Sequence, residues 1–158
     1  MCFAFRPWFS NIGKRLIKTL KLYFYDEGLA SWLLGIEQAS QLESYPLRGN
    51  LFENLVVCEA LKHRFNRGKP AGLYFFRDAK GLEVDLLYPN GHQFIPIEIK
   101  AGQTIGRDFF THLEKLTNLV PETFLDGMLV YTGKEDHKRR AIDVINYTHL
   151  TSSLENRL

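Results

Sequence analysis

The chain has 158 residues, 45% of them hydrophobic and 24% charged, with a net charge of +2 and a sequence pI near 8.5. That size and balance fit one globular domain with its own core and exclude a disordered or low-complexity chain. The small positive charge permits contact with nucleic acid without arguing for it. Cys2 and Cys58 have no metal-ligand spacing and form no disulfide framework, and Cys58 falls in an apolar helical pattern as a buried thiol. No apolar run is long enough to span a bilayer, and residues 1–10 lack a signal-peptide layout, so the expected location is cytoplasmic.

Residues 1–47 read as an N-terminal basic and helical segment. Arg6, Lys14, Arg15, Lys18 and Lys21 are interspersed with aromatics, either as a solvated tail or as a basic contact surface. "KLYFYDEGLASWLLGI" predicts a short strand and then a helix capped by Asp26 and ended by Gly35, with Leu29, Trp32, Leu33 and Ile36 in the core. From residue 48 to 158 the pattern is that of an α/β core. "RGNLFENLVVCEALKHRFNRG" predicts a long helix with an apolar stripe of Leu51, Leu55, Cys58, Leu61 and Phe65, stopped by Gly68 and Pro70. The positive charge of Lys62, His63, Arg64, Arg67 and Lys69 suits the negative end of the helix dipole before any phosphate is invoked.

Strand-like runs follow at 73–77, 82–88 and 94–100, separated by "DAKG" and "YPNGH". A second amphipathic helix carries Phe109, Leu113, Leu116 and Val120, and Pro121 ends it. "GMLVYTG" and "AIDVINY" read as two further strands. A strand, a crossover helix and another strand pair in parallel, which makes the expected fold a central mixed sheet flanked by helices.

The stretch "FIPIEIKAG" places Glu98 and Lys100 on one face of a strand otherwise rich in isoleucine. With Asn90-Gly91 as a two-residue turn, Pro89 pairs with His92. Asp85 then lies opposite Pro96, Val84 opposite Ile97, Glu83 opposite Glu98 and Gly81 opposite Lys100. Glu83, Asp85, Glu98 and Lys100 share one face, and Val84, Leu86, Ile95, Ile97 and Ile99 share the other. Clustered carboxylates need a counter-charge. Mg²⁺ or Mn²⁺ held by Asp85 and Glu98, beside Lys100, makes a complete set for metal-assisted phosphodiester hydrolysis. The plainer alternative is a solvated surface pair of Glu98 and Lys100. Glu83 has its own, as a partner for Arg77 or Lys80.

"FENLVVCEAL", "YFFRDAKGLEVDLL" and "PIEIKAG" together resemble the PD-(D/E)xK nuclease superfamily. With "WFSNIGKRL", "KLYFYDEGLASWLLG" and "RGNLFEN", the chain is most similar to the domain of unknown function found C-terminal to bacterial and archaeal AAA-type ATPases, over residues 6–150. The resemblance implies a restriction-endonuclease-like fold. It also implies that Asp85 and Glu98 are metal ligands, Lys100 is the catalytic lysine, and a helix glutamate completes the shell. Glu53 fits the motif best, although the helical wheel does not separate it from Glu59. The chain has no G-x-x-x-x-G-K-[ST] phosphate loop, so it reads as a truncated product or a detached C-terminal domain with no ATP-driven activity of its own.

Two functions compete. One is a Mg²⁺-dependent endonuclease whose Lys62, Arg64, Arg67 and Lys69 track DNA phosphates. The other is a module that docks DNA or a protein partner, or regulates an ATPase, without cleaving.

Overall fold

In the computed structural model, residues 1–9, 17–106 and 108–158 are described; Lys14 and Arg15 of the expected basic segment lie outside them. The N-terminal part forms a two-stranded antiparallel sheet of β1 (Cys2–Phe5) and β2 (Lys21–Phe24), with Phe5 paired to Lys21. Aromatic burial holds this hairpin down: Phe5 packs on Tyr23 at 5.2 Å and on Phe75 at 5.7 Å between ring centroids. Each such ring removes a large apolar area from water, and the edge-to-face contact adds about 0.5–1.5 kcal/mol. After β1 the chain runs beside Phe75, whose N–H donates to Arg6 O and whose carbonyl accepts from the Trp8 N–H.

Helix α1 (Glu27–Leu33) starts as expected, with the Asp26 carboxylate accepting from the Leu29 N–H at 2.8 Å. Its apolar residues are not core. Leu29, Trp32 and Leu33 are exposed, Trp32 at 70%, and Ala30 is the residue the helix buries. A helix of seven residues, two turns long, can bury only a single small face. A short α2 (Ala39–Leu42) lies in the connector.

Helix α3 (Arg48–Asn66) is the longest helix, and its buried face is wider than the expected stripe and rotated from it. Cys58 and Leu61 are buried as anticipated, but Phe65 is exposed and Leu51 and Leu55 are half-buried, while Val56, Val57, Ala60 and His63 are covered. The rotation follows from α3 being packed on several sides, by the sheet, by β2 with α1, and by α5 (Leu150–Glu155). Asn54 makes the second of these contacts. Its amide accepts from the Phe24 N–H at 2.7 Å and donates to the Phe24 carbonyl at 2.9 Å, substituting for a neighbouring strand.

The main sheet has six strands in the order β3 (Tyr74–Arg77), β4 (Glu83–Asn90), β5 (Gln93–Lys100), β6 (Met128–Tyr131), β8 (Ile142–Asn146) and β7 (His137–Arg139). β3, β4 and β5 are antiparallel, and β5, β6 and β8 are parallel as the crossover rule requires. Helix α4 (Asp108–Leu119) is that crossover, with Phe110, Leu113 and Leu116 buried. Two apolar clusters sandwich the sheet. One joins Leu86, Ile97 and Ile99 to Val57 and Leu61 of α3; the other joins Val84, Leu87 and Leu129 to Leu113 and Leu116 of α4. The fold is therefore a mixed α/β sheet with helices on both faces.

Two details of β4 correct the expected register. Asn90 pairs with Gln93, so Gly91 and His92 are the turn, with Gly91 at φ +60° in its first position as a type II′ turn requires. Asn90 is drawn into the strand because its amide donates to the Arg157 carbonyl just beyond α5 at 2.8 Å. Between Val84 and Leu87 there is also an extra residue. Tyr74 of β3 faces Leu87 but Phe76 faces Val84, so two steps on β3 span three on β4. This bulge at Asp85 and Leu86 switches faces, and Val84 joins the α4-side cluster instead of sharing a face with Leu86.

Candidate functional site

The bulge creates the site. The β4–β5 ladder ends at Leu86 and Ile97. Past that point the Asp85 carboxylate turns between the strands and accepts from the Ile99 N–H at 2.9 Å. Asp85 thereby touches both sides of the sheet: Lys21 Nζ lies 3.9 Å from Oδ1, and Lys100 Nζ 3.6 Å from Oδ2. The four charged residues do not line one flat face as expected. They form two poles joined through Asp85.

On the α4 side, Lys100 Nζ lies 2.7 Å from Glu98 Oε1, and His112 Nδ1 lies 4.0 Å from the same oxygen. Glu98 is only 4% exposed, and its Oε2 is buried with no hydrogen-bond partner among the described residues. The β5–β6 ladder fixes Glu98 and Lys100 opposite Leu129 and Tyr131 in the middle of the sheet, so they are not a solvated edge pair. Burial first, then the neighbouring Asp85 charge, pushes the Glu98 carboxyl up to about 8, although Lys100 pulls it down. Burial and the Glu53 charge likewise raise Asp85 above the ordinary carboxylate range. Burial opposes the charge on Lys100, yet Asp85 and Glu98 hold its pKa above the usual lysine value. Two buried carboxylates that both resist ionisation are short of positive charge.

On the α3 side, Lys21 is the hub. Its ammonium lies 2.7 Å from Glu53 Oε1 and 2.8 Å from Glu83 Oε1, above the Phe75 ring at 5.1 Å. The Tyr23 hydroxyl donates to the same Glu53 oxygen at 2.5 Å. Arg77 forks onto Glu83 at 2.8 and 2.6 Å. Burial works against the Glu83 charge, but the hydrogen bonds from Arg77 and Lys21 hold its carboxyl below the usual range. Burial also opposes the charge on Lys21, and Glu53 and Asp85 overcome it to raise that pKa. A cleft of about 570 Å³ opens here, lined by Lys21, Glu53, Arg77 and Glu83 together with Leu33 and Leu47. Asp85, Glu98 and Lys100 do not line it.

The structure brings Asp85, Glu98 and Lys100 together and adds Glu53 through Lys21. Glu59 is elsewhere, paired with Lys62 at 2.7 Å on the surface. The basic cluster is also remote. Lys62 is nine residues beyond Glu53, about 14 Å along the helix, and Arg64 is occupied by the Pro70 and Ala71 carbonyls. Lys21 was expected to be a tail or surface residue and is instead half-buried within the acids. The same-face rule that flags Glu98 and Lys100 also applies to Lys21 and Tyr23 in "KLYF", and would have marked them. Among the described residues, no three His, Cys, Asp or Glu side chains are gathered closely enough to hold a metal ion. Around Lys21 the oxygens stand at ammonium distances, not at the roughly 2.1 Å that Mg²⁺ requires.

This arrangement defines an α/β domain with a buried, lysine-bridged carboxylate site. Residues 48–150 match the domain of unknown function DUF4143, and the chain belongs to that family. Residues 1–40 match a second domain of unknown function, DUF8612. The chain is similar to the uncharacterized proteins Rv2008c of Mycobacterium tuberculosis and Mb2031c of Mycobacterium bovis, each 37% identical over 98 residues. The match covers 62% of this chain but 21% of each relative, so it spans about a fifth of their length.

Proposed function

We propose that this domain is a PD-(D/E)xK-type, restriction-endonuclease-like nuclease that hydrolyses DNA phosphodiester bonds with Mg²⁺ or Mn²⁺, and that it works as part of a longer, ATPase-linked cytoplasmic protein. One observation carries the reading: buried Asp85 and Glu98 converge beside Lys100, and Glu98 Oε2 has no hydrogen-bond partner among the described residues. Hard oxygen donors that lack positive charge fit a divalent ion. Asp85 and Glu98 would hold it; Glu53, engaged by Lys21 and Tyr23, is not free to join. Such an ion, when bound, supplies polarisation of the phosphoryl group and an acidified water.

The remaining work falls to the chain. Lys100 stabilises charge developing on the phosphate oxygens, and Glu98 fixes the direction of its ammonium. The Ile99 N–H holds Asp85 in place. Plasmid DNA incubated with the protein and Mn²⁺ is expected to be nicked or linearised, and Lys100→Ala to abolish cleavage while remaining folded. A folded wild-type protein inert with both Mg²⁺ and Mn²⁺ would refute the reading.

A second reading, a non-cleaving module that binds DNA or a protein partner, is favoured by a different observation. Lys21 and Lys100 already partner the carboxylates, and an internal ion network can be wholly structural.

A further inference from the structure

Most of the basic, aromatic N-terminal segment takes no part in the carboxylate site. From Met1 to Tyr25 the chain holds five lysines and arginines and no aspartate or glutamate, a charge of +5 where the whole chain carries +2. Lys21 is engaged by Glu53 and Glu83, but Arg6 and Lys18 are exposed and have no ion pair among the described residues. Both line a pocket of about 420 Å³ together with Trp8, Phe9, Tyr74 and Phe94, and no acid lines it among the described residues. Its walls are fixed to β3: the Trp8 N–H donates to the Phe75 carbonyl at 2.7 Å, and the Ile17 N–H to the Arg77 carbonyl at 3.1 Å. Its rings are held by one another. Trp8 sits edge-on to Phe124 at 5.2 Å and to Phe94 at 6.2 Å, and Tyr74 edge-on to Phe94 at 6.0 Å. Phe9 differs from them in being 51% exposed.

We propose that this pocket binds single-stranded DNA, with a base stacked against Phe9 and Trp8 and the flanking phosphates held by Arg6 and Lys18. Aromatic rings accept the face of any base, and cations that meet no acid are free for phosphate; the two together are how proteins hold single strands. A lipid surface fits less well. Trp8 is folded inward on Phe124, and Phe9 and Leu20 are the only exposed large apolar residues among those lining the pocket, too little to enter a bilayer. An acidic peptide would engage the cations and leave the rings unused. The pocket also lies on the relevant side of the sheet. Trp8, Tyr74 and Phe94 pack against the α4-side cluster, and Phe94 is on the same face of β5 as Glu98, four residues or about 13 Å away. The inference rests on the nuclease reading for what becomes of the strand, while the binding itself needs no metal.

The test is titration in chelator with an end-labelled oligodeoxyadenylate of about twelve nucleotides. Binding is read by anisotropy and by tryptophan emission in a Trp32→Phe background, where Trp8 is the sole tryptophan. The strand is expected to bind, to quench Trp8, and to bind more tightly than a duplex of the same length. Phe9→Ala should weaken binding about 5–150-fold with the salt dependence kept. Arg6→Ala/Lys18→Ala should lower the slope of log affinity against log salt by about 1.4. All three side chains are exposed, so both variants should keep the wild-type circular dichroism spectrum. No binding at low salt overturns the inference, as does binding that leaves Trp8 emission unchanged and both variants at wild-type values. Phosphatidylserine vesicles or polyglutamate bound in place of the strand overturn it too. Strand binding in chelator without cleavage in Mn²⁺ would support the inference and refute the nuclease reading; cleavage by the wild type, with wild-type binding in both pocket variants, would do the reverse.

Discussion

Asp85 separates what the fold needs at the β4–β5 divergence from what the chemistry needs. Its carboxylate accepts from the buried Ile99 N–H at 2.9 Å and places a negative charge beside Glu98. Asp85→Ala removes both. The Ile99 N–H is left buried without that acceptor, which costs about 1–3 kcal/mol. Asp85→Asn keeps an oxygen for the N–H and removes only the charge, which relieves the like-charge contact with Glu98 while losing the longer contacts to Lys21 and Lys100 at 3.9 and 3.6 Å. The two charge effects oppose each other, so Asp85→Asn is expected to lie near wild type in stability. The gap between the variants is then about 1–3 kcal/mol, or about 2–12 °C in Tm for a domain of this size. Thermal and urea unfolding in chelator at pH 7, followed by circular dichroism, measures it. An Asn variant as unstable as the Ala variant would show that the strand end requires the charge itself and would refute this reasoning.

Other expectations follow from the same structure. The Glu98 carboxyl, pushed up to about 8, is largely protonated at pH 6, and a metal must displace that proton. Apparent Mn²⁺ affinity by calorimetry should therefore rise about tenfold per pH unit from pH 6 towards 8, as one proton is released; a flat profile would count against Glu98 as a ligand. His63 is buried with Nδ1 2.6 Å from the Tyr88 hydroxyl, and burial, then Arg67, lowers its pKa below 6.5. The unfolded chain thus takes up that proton first, so the His63 contribution is complete above pH 6.5 and falls as the pH drops below it, by at most about 1.4 kcal/mol per unit. Urea unfolding at pH 5 and 7 should show the loss in wild type and less of it in His63→Gln. A Cβ at Gly133 would overlap the ring of Tyr131, whose hydroxyl is tied to the Glu135 carbonyl at 2.6 Å. Gly133→Ala should therefore cost about 1–3 kcal/mol in urea unfolding.

The sequence reached the parallel crossover and the pairing of Glu98 with Lys100 because strand alternation and a strand–helix–strand order are local signals. It placed the turn one residue early, and the resulting two-residue offset in pairing kept the side-chain parity, so Leu86, Ile95, Ile97 and Ile99 still fell on one face. The bulge at Asp85 and Leu86 has no glycine to announce it, and it turned one expected face into two poles. Trp32 and Leu33 follow a helical period yet face solvent, because periodicity marks a stripe without saying what covers it. Lys21 was hidden for a related reason. Its partners Glu53, Glu83 and Asp85 lie 32 or more residues away, and the contact depends on the Asn54 clamp and the burial of Phe5 and Tyr23.

The central claim is that Asp85 and Glu98 jointly hold one divalent ion beside Lys100. Crystals soaked in Mn²⁺ and measured for anomalous scattering test it most directly. The account expects a single strong peak about 2.1–2.3 Å from an oxygen of each carboxylate, with Lys21 still bound to Glu53 and Glu83. No peak there, with Lys100 still bridging Asp85 and Glu98 at high Mn²⁺ occupancy elsewhere in the crystal, would contradict it.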